Sequence, residues 1–336
     1  MSTVLTFMRQ PAARFICAVT LGVFAAALSA ASATAQQAPA TRPALPPAQP
    51  LPGAKMAADL EYGHADGKPL LLDLYVPLKE VTGKLPLVVW VHGGGWSAGS
   101  RRNPPALPLL KHGFAVASVE YRLSQEAKFP AQIEDCKAAL RWLRANADMY
   151  HLDPDHVGVW GSSAGGHLVA MLGATGGVTE LDGANKDNAD QSSKVQAVCD
   201  WFGPTDFLLM DTQFAGKGQF LHSAPESPES HLIGGPITQN PAKVAAASPM
   251  TYINAKAAKG EGKDLPPFLI MHGDKDPLVP YAQSEILRDA LQKAGADVTL
   301  QIIPGAGHGF RGAEPTDTVV AFFEKHLKPG DAKAGQ

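Results

Sequence analysis

The chain has 336 residues, 45% hydrophobic and 18% charged, enough for one large domain or two small ones with a sizeable core. A net charge of −3 gives no electrostatic footprint for nucleic acid or for an anionic membrane surface. No Cys/His spacing and no H-E-x-x-H stretch marks a metal site, so no metal is expected.

Residues 1–35 read as an export signal. Arg9 and Arg14 give a positive start, Phe15 to Leu28 is mostly apolar and uncharged, and Ala33-Thr34-Ala35 is a small-residue cleavage site. The apolar run is short for a span, and no cysteine follows the cleavage site to carry a lipid. A secreted or periplasmic location without a stable membrane anchor is therefore expected. Removing the signal takes the net charge from −3 to −5. Cys136 and Cys199 then remain, one on a helical pattern and one on a strand pattern, and are expected as buried free thiols. Residues 36–55 are rich in Pro, Ala and Gln and read as a solvated linker.

The folded domain is expected over 56–330. Leu60-Glu61-Tyr62 and Leu70 to Val76 flank Asp66-Gly67, the signature of an antiparallel hairpin. Leu85 to Val91 and Phe114 to Val119 are apolar runs of strands buried on both faces. Pro130 to Ala147 carries Ile133, Cys136, Leu140, Leu143 and Ala147 at helical spacing, with Pro at the first turn. Val157 to Trp160 predicts a strand, Ala164 to Leu172 a helix, and Val195 to Phe202 and Pro267 to Met271 two more strands. Tyr281 to Ala294 predicts a helix with Ile286, Ala290, Leu291 and Ala294 inward; Val298 to Ile303 is the last strand and Asp317 to Leu327 the closing helix. Strands alternating with helices imply a mostly parallel sheet covered on both faces. Residues 204–247 break the pattern and read as an irregular cap that helps to wall a site.

Gly161-Ser162-Ser163-Ala164-Gly165 joins a strand to a helix and matches G-x-S-x-G, with Ser163 at its centre. A sharp strand-to-helix turn strains the serine backbone, and side chains at Gly161 and Gly165 would collide there. His92-Gly93-Gly94-Gly95-Trp96 follows the Leu85–Val91 strand. Its glycines bring Gly93 and Gly94 N–H groups close to a developing oxyanion, with the Ala164 N–H as a further donor. His92 is expected to orient this loop and His167 to pack on the elbow helix. Asp276 in His272-Gly273-Asp274-Lys275-Asp276 and His308 in Gly307-His308-Gly309 follow the last two strands. The order Ser163, Asp276, His308 is that of nucleophile, acid and base in this architecture. Asp274, Asp200 and Asp206 compete for the acid, but Asp276 lies further into the turn, before Pro277. Trp96, Tyr121, Trp201, Phe202 and Phe207 are candidates for a pocket wall or for core.

From about Tyr62 to Leu327 the chain resembles bacterial α/β-hydrolase esterases, above all the group of feruloyl- and acetyl-ester hydrolases. The residues that carry this are His92-Gly93-Gly94-Gly95-Trp96, Tyr121-Arg122-Leu123, Phe129-Pro130-Ala131, Gly161 to Leu168, Ala247-Ser248-Pro249, and His272-Gly273 with Asp276 and Val279-Pro280. The chain is also similar to hormone-sensitive-lipase-like esterases, which usually carry an acid at the position of Ser162. The resemblance implies an α/β-hydrolase fold with a cap. It implies a serine esterase that needs no cofactor and acts on a small or polysaccharide-linked ester. It also places the acid three residues before the Val-Pro pair, at Asp276. A serine peptidase or an arylformamidase-like hydrolase of the same fold is the alternative. A non-catalytic binding protein on the same frame is a further one.

Overall fold

The structure, a computed structural model, describes residues 45–328 apart from 50, 80–82, 186, 311 and 313. The expected export signal and half of the linker lie outside these residues. The strand elements are β1 (Ala54–Ala65), β2 (Lys68–Pro77), β3 (Leu85–Val91), β4 (Ala115–Val119), β5 (Leu152–Ser162), β6 (Ala197–Trp201), β7 (Phe268–Gly273) and β8 (Val298–Ile303). The helices are α1 (Ala131–Ala145), α2 (Ala164–Ala174), α3 (Met210–Phe214), α4 (Pro228–Ile233), α5 (Pro241–Ala246), α6 (Pro249–Ala258), α7 (Ala282–Ala294) and α8 (Glu314–Leu327).

The eight strands form one sheet in the order β1-β2-β4-β3-β5-β6-β7-β8. β1, β2 and β4 pair antiparallel, and every pair from β4 to β8 is parallel. The parallel centre explains the unbroken apolar runs: all seven residues of β3 and all five of β4 and of β6 are buried. Strand alternation then divides the core in two. Leu87, Val89 and Val91 of β3 face the layer of α1, α2, α6 and α7. Val88 and Trp90 face the layer of α8 and the 3-10 turn at Leu107–His112. Helix α2 is buried along its whole length, which accounts for its almost wholly apolar sequence after His167.

Several expectations shift in detail. Ala54 and Lys55 belong to β1 rather than to the linker. Pro130 stands just before α1, not in its first turn, and its bond to Phe129 is cis. In α7 it is Leu287 that is buried, with Gln283, Ser284, Ala290 and Leu291, while Ile286 is half-buried. The 204–247 segment is not irregular. It holds α3, α4 and α5, each of five or six residues, too short for a periodic signal. Local chemistry defines α4: Ser227 accepts the Ser230 N–H at its start, Pro228 opens it, and Gly234 closes it at φ 83°. Among the described residues, Cys136 and Cys199 are buried and unbonded.

Where β5 meets α2, backbone touches backbone. A Cβ on Gly161 would collide with the Gly165 carbonyl, and one on Gly165 with the carbonyl of Val91 in β3. Gly165→Ala is therefore expected to cost about 3 kcal/mol, as forced overpacking does. Gly113→Ala, at φ 76° but with nothing within 4 Å of the new methyl, is expected to cost about 1 kcal/mol. Urea midpoints of the two variants check this; equal losses would refute the close-packing account.

Candidate active site

The carboxyl ends of β3, β5, β6, β7 and β8 deliver the candidate residues to one edge of the sheet, where ligands of open α/β sheets bind. β5 ends at Ser162, and Ser163 follows at φ 56°, ψ −122°, a strained conformation for a non-glycine residue. Its N–H donates to the Trp201 carbonyl of β6 at 2.8 Å, and its carbonyl accepts the His167 N–H at 3.0 Å. Ala164 is the first residue of α2, so its N–H has no partner within the helix.

The loop after β3 turns on Gly94, whose carbonyl accepts the N–H groups of Ser97 and Ala98 at 3.1 and 3.0 Å. A Cβ on Gly93 would lie 2.7 Å from the Ser162 carbonyl, so the loop can approach the elbow this closely only as glycine. His92 supports the loop from beneath. Its Nδ1–H donates to the Gly93 carbonyl at 2.8 Å, and burial lowers its pKa to about 4 against that bond. The Tyr121 ring stacks on it with centroids 4.3 Å apart, and the Tyr121 hydroxyl donates to the His92 carbonyl at 2.9 Å. The far end of the loop is tied down by ion pairs: Arg101 with Asp59, Asp73 and Glu120, and Arg102 with Asp59 and Asp73.

Past β7, Asp276 turns one oxygen to its own backbone and the other to two histidines. Oδ1 accepts the N–H groups of Leu278 at 2.8 Å and Val279 at 3.0 Å. Oδ2 lies 2.7 Å from His308 Nδ1 and 3.3 Å from His272 Nε2. Burial works to raise the Asp276 pKa, but the two histidines and the backbone donors outweigh it and hold the carboxyl well below the usual range. With Nδ1 of His308 donating to Asp276, Nε2 is left to accept a proton. His272 is fixed in turn by the Ser284 hydroxyl at 2.7 Å and the Val279 carbonyl at 3.0 Å. The other aspartates have different tasks. Asp274 accepts the Gly305 N–H at 2.6 Å, Asp206 accepts that of Leu208 at 3.1 Å, and Asp200 that of Gly203 at 2.9 Å.

A cavity of about 620 Å³ opens over these groups. Gly93, Gly94, Ser163, Ala164 and His308 reach its floor, and Trp96, Phe202, Leu278 and Val279 give it apolar walls. Phe202 packs its ring 4.6 Å from that of His308. Three expected wall residues lie elsewhere. Tyr121 is spent on His92, and Trp201 packs edge-on against Trp160 and Phe310 at 4.8 Å from each. Phe207 lies beneath Trp96 rather than in the wall. The insertion supplies Pro204, Phe220, His222, Pro228 and Glu229, which sequence reasoning did not single out. The one signal for them was the cluster of prolines around a histidine in an otherwise polar stretch. His167 donates from Nε2 to the Ala247 carbonyl at 2.6 Å and so joins α2 to the end of the insertion.

The BD-FAE family model matches residues 72–291, well over half of the chain. The chain belongs to the BD-FAE family. Esterase LipQ of Mycobacterium tuberculosis is 32% identical over 263 residues, which are 76% of this chain and 58% of LipQ, so the chain spans less than two thirds of that relative. A carbohydrate esterase from gut microbiota, solved in truncated form, is 33% identical with a TM-score of 0.71, covering 81% of this chain and 95% of that one. Esterase Est2 of Thermogutta terrifontis is 26% identical with a TM-score of 0.64, covering 83% and 95%. Est2 has been solved with propionate bound, with butyrate bound and phosphorylated by paraoxon. The mostly parallel eight-stranded sheet with helices on both faces is the α/β-hydrolase fold of this BD-FAE chain.

Asp200 shows what burial does to a carboxyl without a histidine on it. Burial raises its pKa to about 6, against the lowering effects of the Gly203 N–H and of His272, and its Oδ2 has no partner among the described residues. Folding therefore binds a proton between about pH 4 and pH 6, and stability falls as pH rises through that window. Asp200→Asn keeps an oxygen for Gly203 and removes this slope. The stability of the variant relative to wild type is expected to rise by roughly 3 kcal/mol from pH 4 to pH 7. Urea unfolding at both pH values measures it, and a constant difference would refute the burial account.

Proposed function

We propose that the chain is a serine carboxylic-ester hydrolase that acts on short-acyl or aromatic esters through an acyl-enzyme. One observation carries the reading: Asp276 and His308 are bonded at 2.7 Å, and His308 shares a cavity with Ser163 on a strained elbow. Ser163 Oγ attacks the ester carbonyl carbon while His308 Nε2 takes its proton. Asp276 holds the working tautomer and stabilises the imidazolium. The N–H groups of Gly93, Gly94 and Ala164 receive the oxyanion. Collapse expels the alcohol, which takes the proton from His308. Water, deprotonated by the same histidine, then attacks the acyl carbon, and the departing Ser163 oxygen takes that proton back from His308 as the acid is released.

The relatives support ester hydrolysis, and Est2 with propionate or butyrate supports a small acyl group. The paraoxon adduct of Est2 supports a reactive nucleophile. A cavity of about 620 Å³ walled by Trp96 and Phe202 suits a short or planar acyl chain. Arg9, Arg14 and the cleavage site at Ala33-Thr34-Ala35 support action outside the cytoplasm.

Two measurements test the reading. Ser163→Ala is expected to remove ester turnover by several orders of magnitude, and Asp276→Asn to lower kcat about a thousandfold or more. Ser162→Ala and Asp274→Asn are expected to be far milder. Near-equal losses at the two serines, or reversed losses at the two aspartates, would undo the assignment. Across acetyl, butyryl, octanoyl and feruloyl esters, kcat/KM is expected to favour the short and the aromatic acyl groups. A maximum at about ten carbons or more would overturn the substrate class.

A further inference from the structure

The cavity has a polar corner that the ester chemistry above does not use. His222 and Glu229 both line it, and they are 2% and 3% exposed. His222 Nδ1 lies 2.9 Å from Glu229 Oε1. The second carboxylate oxygen, Oε2, is buried and has no hydrogen-bond partner among the described residues. A carboxylate oxygen without a donor in such a place is costly, and native structures rarely keep one without a use.

The pair is built rather than incidental. The His222 N–H donates to Asp211 Oδ1 at 2.7 Å, and the Phe214 ring stacks parallel to the imidazole, 5.8 Å away and 8° from coplanar. Phe220 packs 4.5 Å from the imidazole on its way to the cavity, where it is 40% exposed. Pro228, directly before Glu229, abuts Gly95: a Cβ on that glycine would lie 3.3 Å from the Pro228 Cβ. The corner therefore adjoins the glycine loop that faces Ser163.

We propose that Glu229, held by His222, is a hydroxyl-recognition subsite of this cavity. Its Oε2 accepts a hydrogen bond from a hydroxyl of the bound ester, while Phe220 covers an apolar ring face beside it. A free acceptor next to an exposed aromatic ring suits a group with apolar faces and hydroxylated edges. A sugar on the alcohol side of the ester has that form, and so does a phenol on the acyl side. The proposal rests on the esterase reading and specifies its substrate class.

Paired substrates test it. One pair is an acetyl ester of methyl xyloside and the same ester with its remaining hydroxyls O-methylated. The other is methyl ferulate and methyl 3,4-dimethoxycinnamate. Wild-type kcat/KM is expected to favour the hydroxylated member at least tenfold in one pair, and the pair that responds identifies the side of the ester. Glu229→Met is expected to bring that ratio close to one, with Glu229→Gln in between. A loss of packing alone would lower both members of a pair together. Wild-type ratios within twofold in both pairs overturn the subsite, as does an unchanged ratio in the folded variants. Should the variants not fold, wild-type crystals soaked with methyl xyloside or ferulate decide. A hydroxyl about 3 Å from Glu229 Oε2 supports the subsite, and a ligand bound without that contact overturns it. All assays use protein treated in parallel with a fluorophosphonate. Protein that neither labels at Ser163 nor turns over any ester overturns the esterase reading itself. Labelled, active protein without a hydroxyl preference overturns the subsite alone.

Discussion

The site depends on one close approach of backbone to backbone. Ser163 sits at φ 56° because β5 must turn into α2 within a single residue, and such a conformation costs of order 1–3 kcal/mol. It persists because neighbouring strands hold it. β6 takes the Ser163 N–H through the Trp201 carbonyl, β3 lies against Gly165, and Asp200 and Gly203 crowd Gly166. The glycine loop after β3 then rests directly on the elbow, with Gly93 against the Ser162 carbonyl. The serine hydroxyl and the loop's N–H groups therefore keep a fixed relation that no single flexible side chain controls. Preorganisation of this kind lets donors act on a developing charge without moving first.

Two buried aspartates, Asp200 on β6 and Asp276 in the turn past the neighbouring β7, show how local partners set the charge of a carboxyl. Asp276 has two backbone donors on one oxygen and two histidines at the other, and its pKa falls. Asp200 has one backbone donor and an oxygen without a partner among the described residues, and its pKa rises to about 6. Burial pushes both in the same direction, so hydrogen bonds and the nearby imidazoles decide the difference. Only the ionised one is bonded to His308. The arrangement suits an imidazole that must gain and lose a proton beside a carboxylate that stays charged.

Much of this was readable from sequence because the physics at work is local or periodic. Parallel strands buried on both faces read as unbroken apolar runs, as at Leu85–Val91, and the hairpin announced itself through Asp66-Gly67. Glycine at 161 and 165 marked a place where a Cβ cannot fit. Asp276 was separable from Asp274 because the turn carries the chain away from the strand before it reaches the histidine. Other features depend on where a side chain goes after the backbone is placed. Tyr121 and Trp201 are aromatic residues near strand ends, as Phe202 is, yet Tyr121 is turned under the glycine loop and Trp201 into the layer beneath α8. The short helices of residues 204–247 are set by caps and by contacts with the main sheet, which no period of 3.6 residues reveals over six positions.

That asymmetry follows the division of labour in the fold. Residues that position Ser163 are constrained by backbone geometry, so they leave a compact signature of glycines, a serine and strand ends. Residues that shape the cavity have only to reach it, and an insertion can do so with helices of any register. Here the reach is secured by anchors far apart in sequence. His167 ties α2 to Ala247, Ser248 donates to the Thr205 carbonyl, and Gln283 of α7 accepts the N–H groups of Thr205 and Asp206. These bonds fix both ends of the insertion against the elbow helix and α7, and between them Phe220, His222 and Glu229 come to face the cavity. The insertion can thus change its inner residues while its ends stay pinned. One frame can in this way present different walls to different ligands.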